Sequence, residues 1–166
     1  ARKYGKLKNP NKNQIIFMED SFHGRTLGAL AVTGQPKYQK DYMPLMEGVK
    51  SVKFNDIEEI KGAINSNTCA VIIEPVQGEG GIVPADLEFL KAVRSLCDEN
   101  DALLIYDEIQ TGIGRTGKLF GYQSFGVIPD IFCISKGLGG GFPIGATLAI
   151  DKAADAFKPG DHGCTF

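Results

Sequence analysis

The sequence holds only two histidines, His23 and His162, and four cysteines, Cys69, Cys97, Cys133 and Cys164. None of the cysteines forms a Cys-x-x-Cys pair. Zinc sites draw on clustered thiolates and imidazoles, so no metal site is expected. Two of the cysteines fall inside apolar runs, which points to reduced, mostly buried thiols and a cytoplasmic setting. No apolar stretch approaches the roughly 20 residues that a membrane helix needs. The opening residues lack an apolar segment behind their charges, so no secretory leader is expected. Charge of one sign is also missing: 18 Lys and Arg face 20 Asp and Glu, for a formal net charge of -2. Neither nucleic acid nor a membrane surface finds a footing there. There is no internal repeat, no low-complexity tract and no linker-like composition.

What remains is material for a packed core. Apolar residues make up 43% of 166 residues, enough for one domain. Residues 14–18 (QIIFM) read as a buried strand, with a loop over 19–26. Residues 26–32 are rich in Leu and Ala and favour a helix. Residues 34–46 contain Pro36 and Pro44 and read as irregular, and 49–54 as a strand. Asn55 or Asp56 can cap a helix over 57–64, with Glu58 and Glu59 in the first turn, where the helix dipole favours acids. Residues 69–73 run apolar into Glu74, ahead of a glycine-rich loop at 77–81. Asp86 opens an amphipathic helix with Leu87, Leu90, Val93, Leu96 and Cys97 at helical spacing. Residues 102–106 form a strand closed by Asp107 and Glu108, before a loop with Gly112, Gly114 and Gly117. A short helix over 119–125 precedes the strand 131–134, and an apolar run at 145–150 leads to a helix capped by Asp151.

Strands alternate with helices, and the strands are apolar without alternation. This predicts an α/β fold with a mostly parallel sheet and helices on both faces. Parallel strands bring their carboxyl ends to one edge, where ligands bind in open α/β sheets. Three such ends carry charge: Glu74, Asp107 and Lys136. Taken singly, each has a plain explanation as a cap or a solvated loop residue. A lysine after a strand is usually solvent-exposed. The glycines follow Lys136 rather than precede it, which argues against a P-loop. Asp107 resists the plain explanation, because the apolar run 103–106 leads straight into it. An acid so close to a core needs a cation or several hydrogen bonds. A lysine and an aspartate facing one crevice suit pyridoxal 5'-phosphate, where Lys forms a Schiff base and Asp pairs with the pyridinium nitrogen.

Five segments sharpen this. They are SFHGRT (21–26), EPVQGEGG (74–81), DEIQTG (107–112), SKGLGGG (135–141) and HGCT (162–165). Together, and in this order, they make the chain resemble the class-III, ornithine-type aminotransferases of the pyridoxal-phosphate fold type I. The resemblance covers the whole chain. It implies that residues 1–166 form most of the cofactor-binding large domain. The phosphate-binding loop would then lie upstream and a small C-terminal domain downstream, so that the chain is a fragment.

The resemblance also implies roles. Lys136 is the Schiff-base lysine and the general base and acid of the proton transfer. Asp107 partners the pyridine nitrogen, Gln110 the ring hydroxyl, and Phe22 stacks on the ring. Glu108 and Ile109 of the same segment count among the cofactor-binding residues. Arg25 grips a substrate carboxylate with its fork of donors. Glu79 matches the glutamate that shields a second arginine when the ω-amino end of the substrate enters, and Glu74 orders its loop. Thr165 reaches the cofactor phosphate of a neighbouring subunit in a homodimer, and Cys164 stands at a substrate-contacting position. The segments GKLFGY (117–122), PDI (129–131) and GGGFPIGA (139–146) resemble members that move the ω-amino group of N-acetylornithine, or of ornithine, to 2-oxoglutarate in arginine biosynthesis. Members acting on 4-aminobutyrate, an aminomutase of the same fold, and an inactive truncated module are the alternatives.

Overall fold

The computed structural model describes residues 1–161 and 163. Among these residues eight strands form: β1 Gln14–Met18, β2 Val49–Val52, β3 Thr68–Ile73, β4 Val76–Gln77, β5 Val83–Pro84, β6 Leu103–Asp107, β7 Ile131–Ile134 and β8 Ala146–Ala149. Seven α-helices accompany them: α1 Arg2–Lys8, α2 Leu27–Ala31, α3 Pro36–Gln39, α4 Ile57–Ala63, α5 Leu87–Glu99, α6 Tyr122–Phe125 and α7 Asp151–Ala154. Six strands build one sheet in the order β2-β1-β3-β6-β7-β8, and β4 and β5 pair as a separate small ribbon.

The central strands are apolar on both sides because both sides are covered. On one face α4 and α5 close over Ile16, Met18, Val52, Val71, Ile73, Leu104 and Tyr106. On the other, Tyr4 of α1 and Ala153 of α7 pack against Ala70 and Leu103. In α5 the buried side chains are Phe89, Leu90, Val93 and Cys97, each fully excluded from solvent. Each large apolar side chain so buried contributes about 1.5 to 3 kcal/mol. Leu87, expected in this stripe, is 40% exposed instead. At 100° per residue it points well away from the centre of the stripe, and Phe89 takes its place. Burial pushes the Cys97 thiol up to about 12, so it behaves as an apolar filler.

The small corrections to the sequence reading have local causes. Asp56, not Asn55, caps α4, its Oδ1 accepting from Glu59 N at 2.9 Å. Asn55 instead bridges to the approach to α5, accepting from Asp86 N at 2.9 Å and donating to Pro84 O at 3.1 Å. Residues 34–46, expected to be irregular, contain α3 and a 3-10 turn at Lys40–Tyr42. Pro36 stands at the start of α3, where its fixed φ suits a helix and its missing N–H costs nothing. Strand β8 runs antiparallel to β7, whereas β2, β1, β3, β6 and β7 are mutually parallel. Only residues 135–145 separate β7 from β8, too few for a crossover connection. No helix among the described residues is long and apolar enough to cross a membrane.

Because β1, β3, β6 and β7 are parallel, their carboxyl ends share one edge of the sheet. Residues 19–25, Glu74, Asp107 and Lys136 leave the sheet there. Gly34 makes an isolated parallel bridge to Glu19, holding the α2–α3 segment to the end of β1. A Cβ on Gly34 would sit 2.2 Å from Met18 O, so only glycine allows that approach.

Candidate active site

Two cavities open on this edge, of about 690 and 210 Å³. They share Ile109, Gln110 and Lys136 as walls. The smaller one is also lined by Phe22, His23, Glu74 and Asp107. The larger runs along the loop 109–116 and past Val76 and Ile82. The edge thus gathers Phe22, Asp107, Ile109, Gln110 and Lys136.

Asp107 ends β6, and its side chain is 8% exposed. Its Oδ1 accepts from Ile109 N at 3.1 Å. Its Oδ2 lies 2.8 Å from His23 Nδ1. A carboxylate can only accept, so Nδ1 carries the proton and His23 donates. The His23 side chain is 2% exposed, and its other nitrogen, Nε2, is buried with no partner among the described residues. A buried polar atom without a partner is uncommon and marks a place where the fold has stopped short of satisfying itself.

Glu74 holds two loops in register. Its Oε1 accepts from Phe22 N at 2.8 Å and its Oε2 from Gly78 N at 3.1 Å. Burial raises its carboxyl above the ordinary range, against the opposing pull of these two N–H groups. Lys136 follows β7 and opens a 3-10 turn with φ of 44°, a left-handed value that side chains seldom adopt. Its exposed side chain walls both cavities. Gln110 donates to Glu79 Oε1 at 3.3 Å, so the two meet across the site. A Cβ on Gly78 would lie 2.1 Å from Gln110 Oε1, so glycine there leaves room for that side chain.

Glu108 lines neither cavity. It is 1% exposed and turned into the following loop. There its carboxylate accepts from the Thr111 hydroxyl, from Gly121 N at 2.8 Å and from Tyr122 N at 2.7 Å. Arg25 is exposed, and its guanidinium lies 5.6 Å from the centre of the Phe22 ring. Cys164 and Thr165 lie outside the described residues. Cys69 and Cys97 are buried, Cys133 half-buried, and all three are free thiols.

His23 escaped the sequence reading, which weighed it only as a metal ligand. The signal was present. An acid at the end of an apolar strand needs a donor, and His23 follows directly on Phe22.

A buried acid and a lysine on the walls of one cavity, at the carboxyl edge of a parallel sheet, can hold a protonated heterocycle and attack a carbonyl carbon. Comparison with known proteins meets this geometry. Acetylornithine aminotransferase of Clostridium acetobutylicum is 64% identical over 167 residues, covering 100% of this chain and 43% of that protein. Succinylornithine transaminase of Photorhabdus laumondii is 57% identical over 166 residues, covering 100% of this chain and 40% of that one. Among solved structures, ornithine aminotransferase of Toxoplasma gondii ME49 superposes with a TM-score of 0.92 at 34% identity, over 99% of this chain and 40% of that chain. The chain therefore spans about two-fifths of the length of the relatives it matches. Residues 1–166 match the family described as Aminotransferase class-III. The edge geometry, the identities and the full-length match agree, and the chain belongs to the class-III aminotransferases.

Proposed function

We propose that this chain is most of the large domain of a pyridoxal-phosphate-dependent aminotransferase. The observation that carries the reading is the shared cavity lined by Asp107 and Lys136. The donor set suits the cofactor: a buried carboxylate for a ring nitrogen, an amine for its aldehyde carbon, an aromatic wall and an amide. When bound, pyridoxal phosphate supplies an electron sink for the charge left at the substrate carbon.

The chain's own residues do the rest. Asp107, held by His23 and Ile109 N, would supply a negative charge to the ring nitrogen. An asparagine there could hydrogen-bond but could not supply that charge. Phe22 would supply the aromatic wall for the ring, and Gln110 an amide donor for the ring hydroxyl. Lys136 Nζ is the amine that would hold the cofactor's aldehyde carbon, and it is placed to serve as the general base and acid for the proton at the carbon that bears the amine. Arg25 orients the substrate through its carboxylate. Glu79 stands near the ω-amino end. The whole protein moves the ω-amino group of N-acetylornithine, or of ornithine, to 2-oxoglutarate in a ping-pong cycle in the cytoplasm. It works as a homodimer. Relatives at 55–64% identity named acetylornithine aminotransferase support the donor. The 57% identical succinylornithine transaminase supports N-succinylornithine as a second donor.

Loading with pyridoxal phosphate, reduction with borohydride and peptide mass spectrometry tests this. The expected result is a pyridoxyl tag on Lys136 alone. Tags scattered over surface lysines, or none, would sink the reading.

A further inference from the structure

Arg25 is an exposed cation beside the site, yet no carboxylate among the described residues lies within ion-pair distance of it. What holds it is aromatic. Its guanidinium sits over the ring of Tyr38, 4.0 Å from the centre. Tyr38 in turn meets Phe22 edge to face, with ring centres 6.0 Å apart and planes at 81°. Phe22 is a wall of the smaller cavity.

Tyr38 is well anchored for such a task. It lies in α3, half-buried. Gln39 Nε2 ties α3 to the end of α2 through Leu30 O and Thr33 O, both at 2.9 Å. Gln35 Nε2 ties its start to Asp20 O and Ser21 O, both at 3.3 Å. The Lys37 ammonium lies 4.8 Å from the centre of the same ring, so two cations border it.

An aromatic face and an acid hold an arginine differently. An acid consumes the donors and cancels the charge, and so competes with an incoming carboxylate. A ring attracts the cation through its quadrupole and leaves the N–H groups free. It also restricts the long side chain before a ligand arrives, which lowers the ordering cost of binding. We infer that Tyr38 is a positioning residue that presents Arg25, donors free, to the carboxylate of an amino-acid substrate. This rests on the role given to Arg25 above.

The test uses the full-length natural chain loaded with pyridoxal phosphate, as parent, Tyr38→Leu and Tyr38→Phe. Tyr38→Met serves as a second ring removal if the leucine variant does not fold. The binding probe is N-acetylnorvaline, which keeps the carboxylate and lacks the ω-amine, followed by calorimetry. Removing the ring is expected to raise its Kd about 3- to 10-fold. KM for N-acetylornithine should rise in step, with kcat within about twofold. Tyr38→Phe should match the parent. Turnover of pentylamine, which has no carboxylate, should be the same in all three. The inference is overturned if ring removal leaves the Kd of N-acetylnorvaline unchanged. It is equally overturned if Tyr38→Phe binds as weakly as Tyr38→Leu, or if pentylamine suffers as much as N-acetylornithine. A tagged Lys136 with an unaffected Kd sinks this inference alone. An untagged Lys136 in the parent sinks the proposed function and this inference with it.

Discussion

Two aspartates stand at opposite ends of β6, equally buried at 7% and 6% exposure, and their surroundings differ. Asp130 faces the entering end. Its Oδ2 accepts from Leu104 N at 2.8 Å and from Arg94 Nη1 at 2.9 Å, while Lys152 Nζ lies 3.0 Å from Oδ1. Two cations and a backbone donor satisfy it. Asp107 closes the leaving end with one imidazole, one backbone N–H and a cavity. A buried carboxylate surrounded by cations belongs to the scaffold, because its charge is already answered. One left with acceptor capacity facing a cavity is available to a ligand.

That contrast can be broken by exchanging the two sites' behaviour. Asp130→Ala leaves Arg94 and Lys152 without their shared acid and is expected to cost about 3 to 5 kcal/mol of stability. Urea unfolding would read it, and activity below the transition should stay near the parent's. Asp107→Asn keeps the shape and removes the charge. It is expected to lower kcat/KM about 100- to 1000-fold while stability moves by less than about 1 kcal/mol. Should Asp107→Asn unfold the protein and spare turnover, the division between scaffold and site would collapse.

His23→Gln sharpens the same point. It is expected to lower kcat/KM about tenfold, because His23 acts through Asp107. Paired with Asp107→Asn it should add little more, and additive losses would show that His23 acts on its own. The smallest effect belongs to Glu74. Its carboxyl is raised in the fold, so its contribution to stability is fully present below the ordinary carboxylate pKa and is lost as pH rises through the folded value. The Tm of Glu74→Gln should therefore gain on the parent's as pH rises above the ordinary carboxylate pKa of about 4. A constant difference would mean that the two N–H bonds to Glu74 cancel its burial, and a Tm that falls relative to the parent's would mean that they outweigh it.

Much of this was legible along the chain. Residues 69–73, 102–106 and 131–134 are apolar runs followed by an acid, an acid and, one residue on, a lysine, and their shortness and their alternation with helical segments mark them as covered parallel strands. Helix α5 was legible too, except for the exchange of Leu87 for Phe89, which depends on where the stripe is centred against the sheet. Glu108 was not. The same short segment supplies Asp107 to the cavity and buries Glu108 beneath Gly121 and Tyr122, and adjacency in sequence says nothing about which way each side chain turns.

The sequence by itself determined the α/β class and the strand ends that bear charge, Lys136 and Asp107 among them. Local patterns carry that information, since burial on two faces needs unbroken apolar runs and charge can appear only where they stop. The tertiary structure decided what those charges meet. It brought His23 to Asp107 across 84 residues and Gln110 to Glu79 across 31, and it set Arg25 on a ring rather than on an acid. Such pairings depend on strand order and on the packing of loops at one sheet edge, which no local pattern encodes.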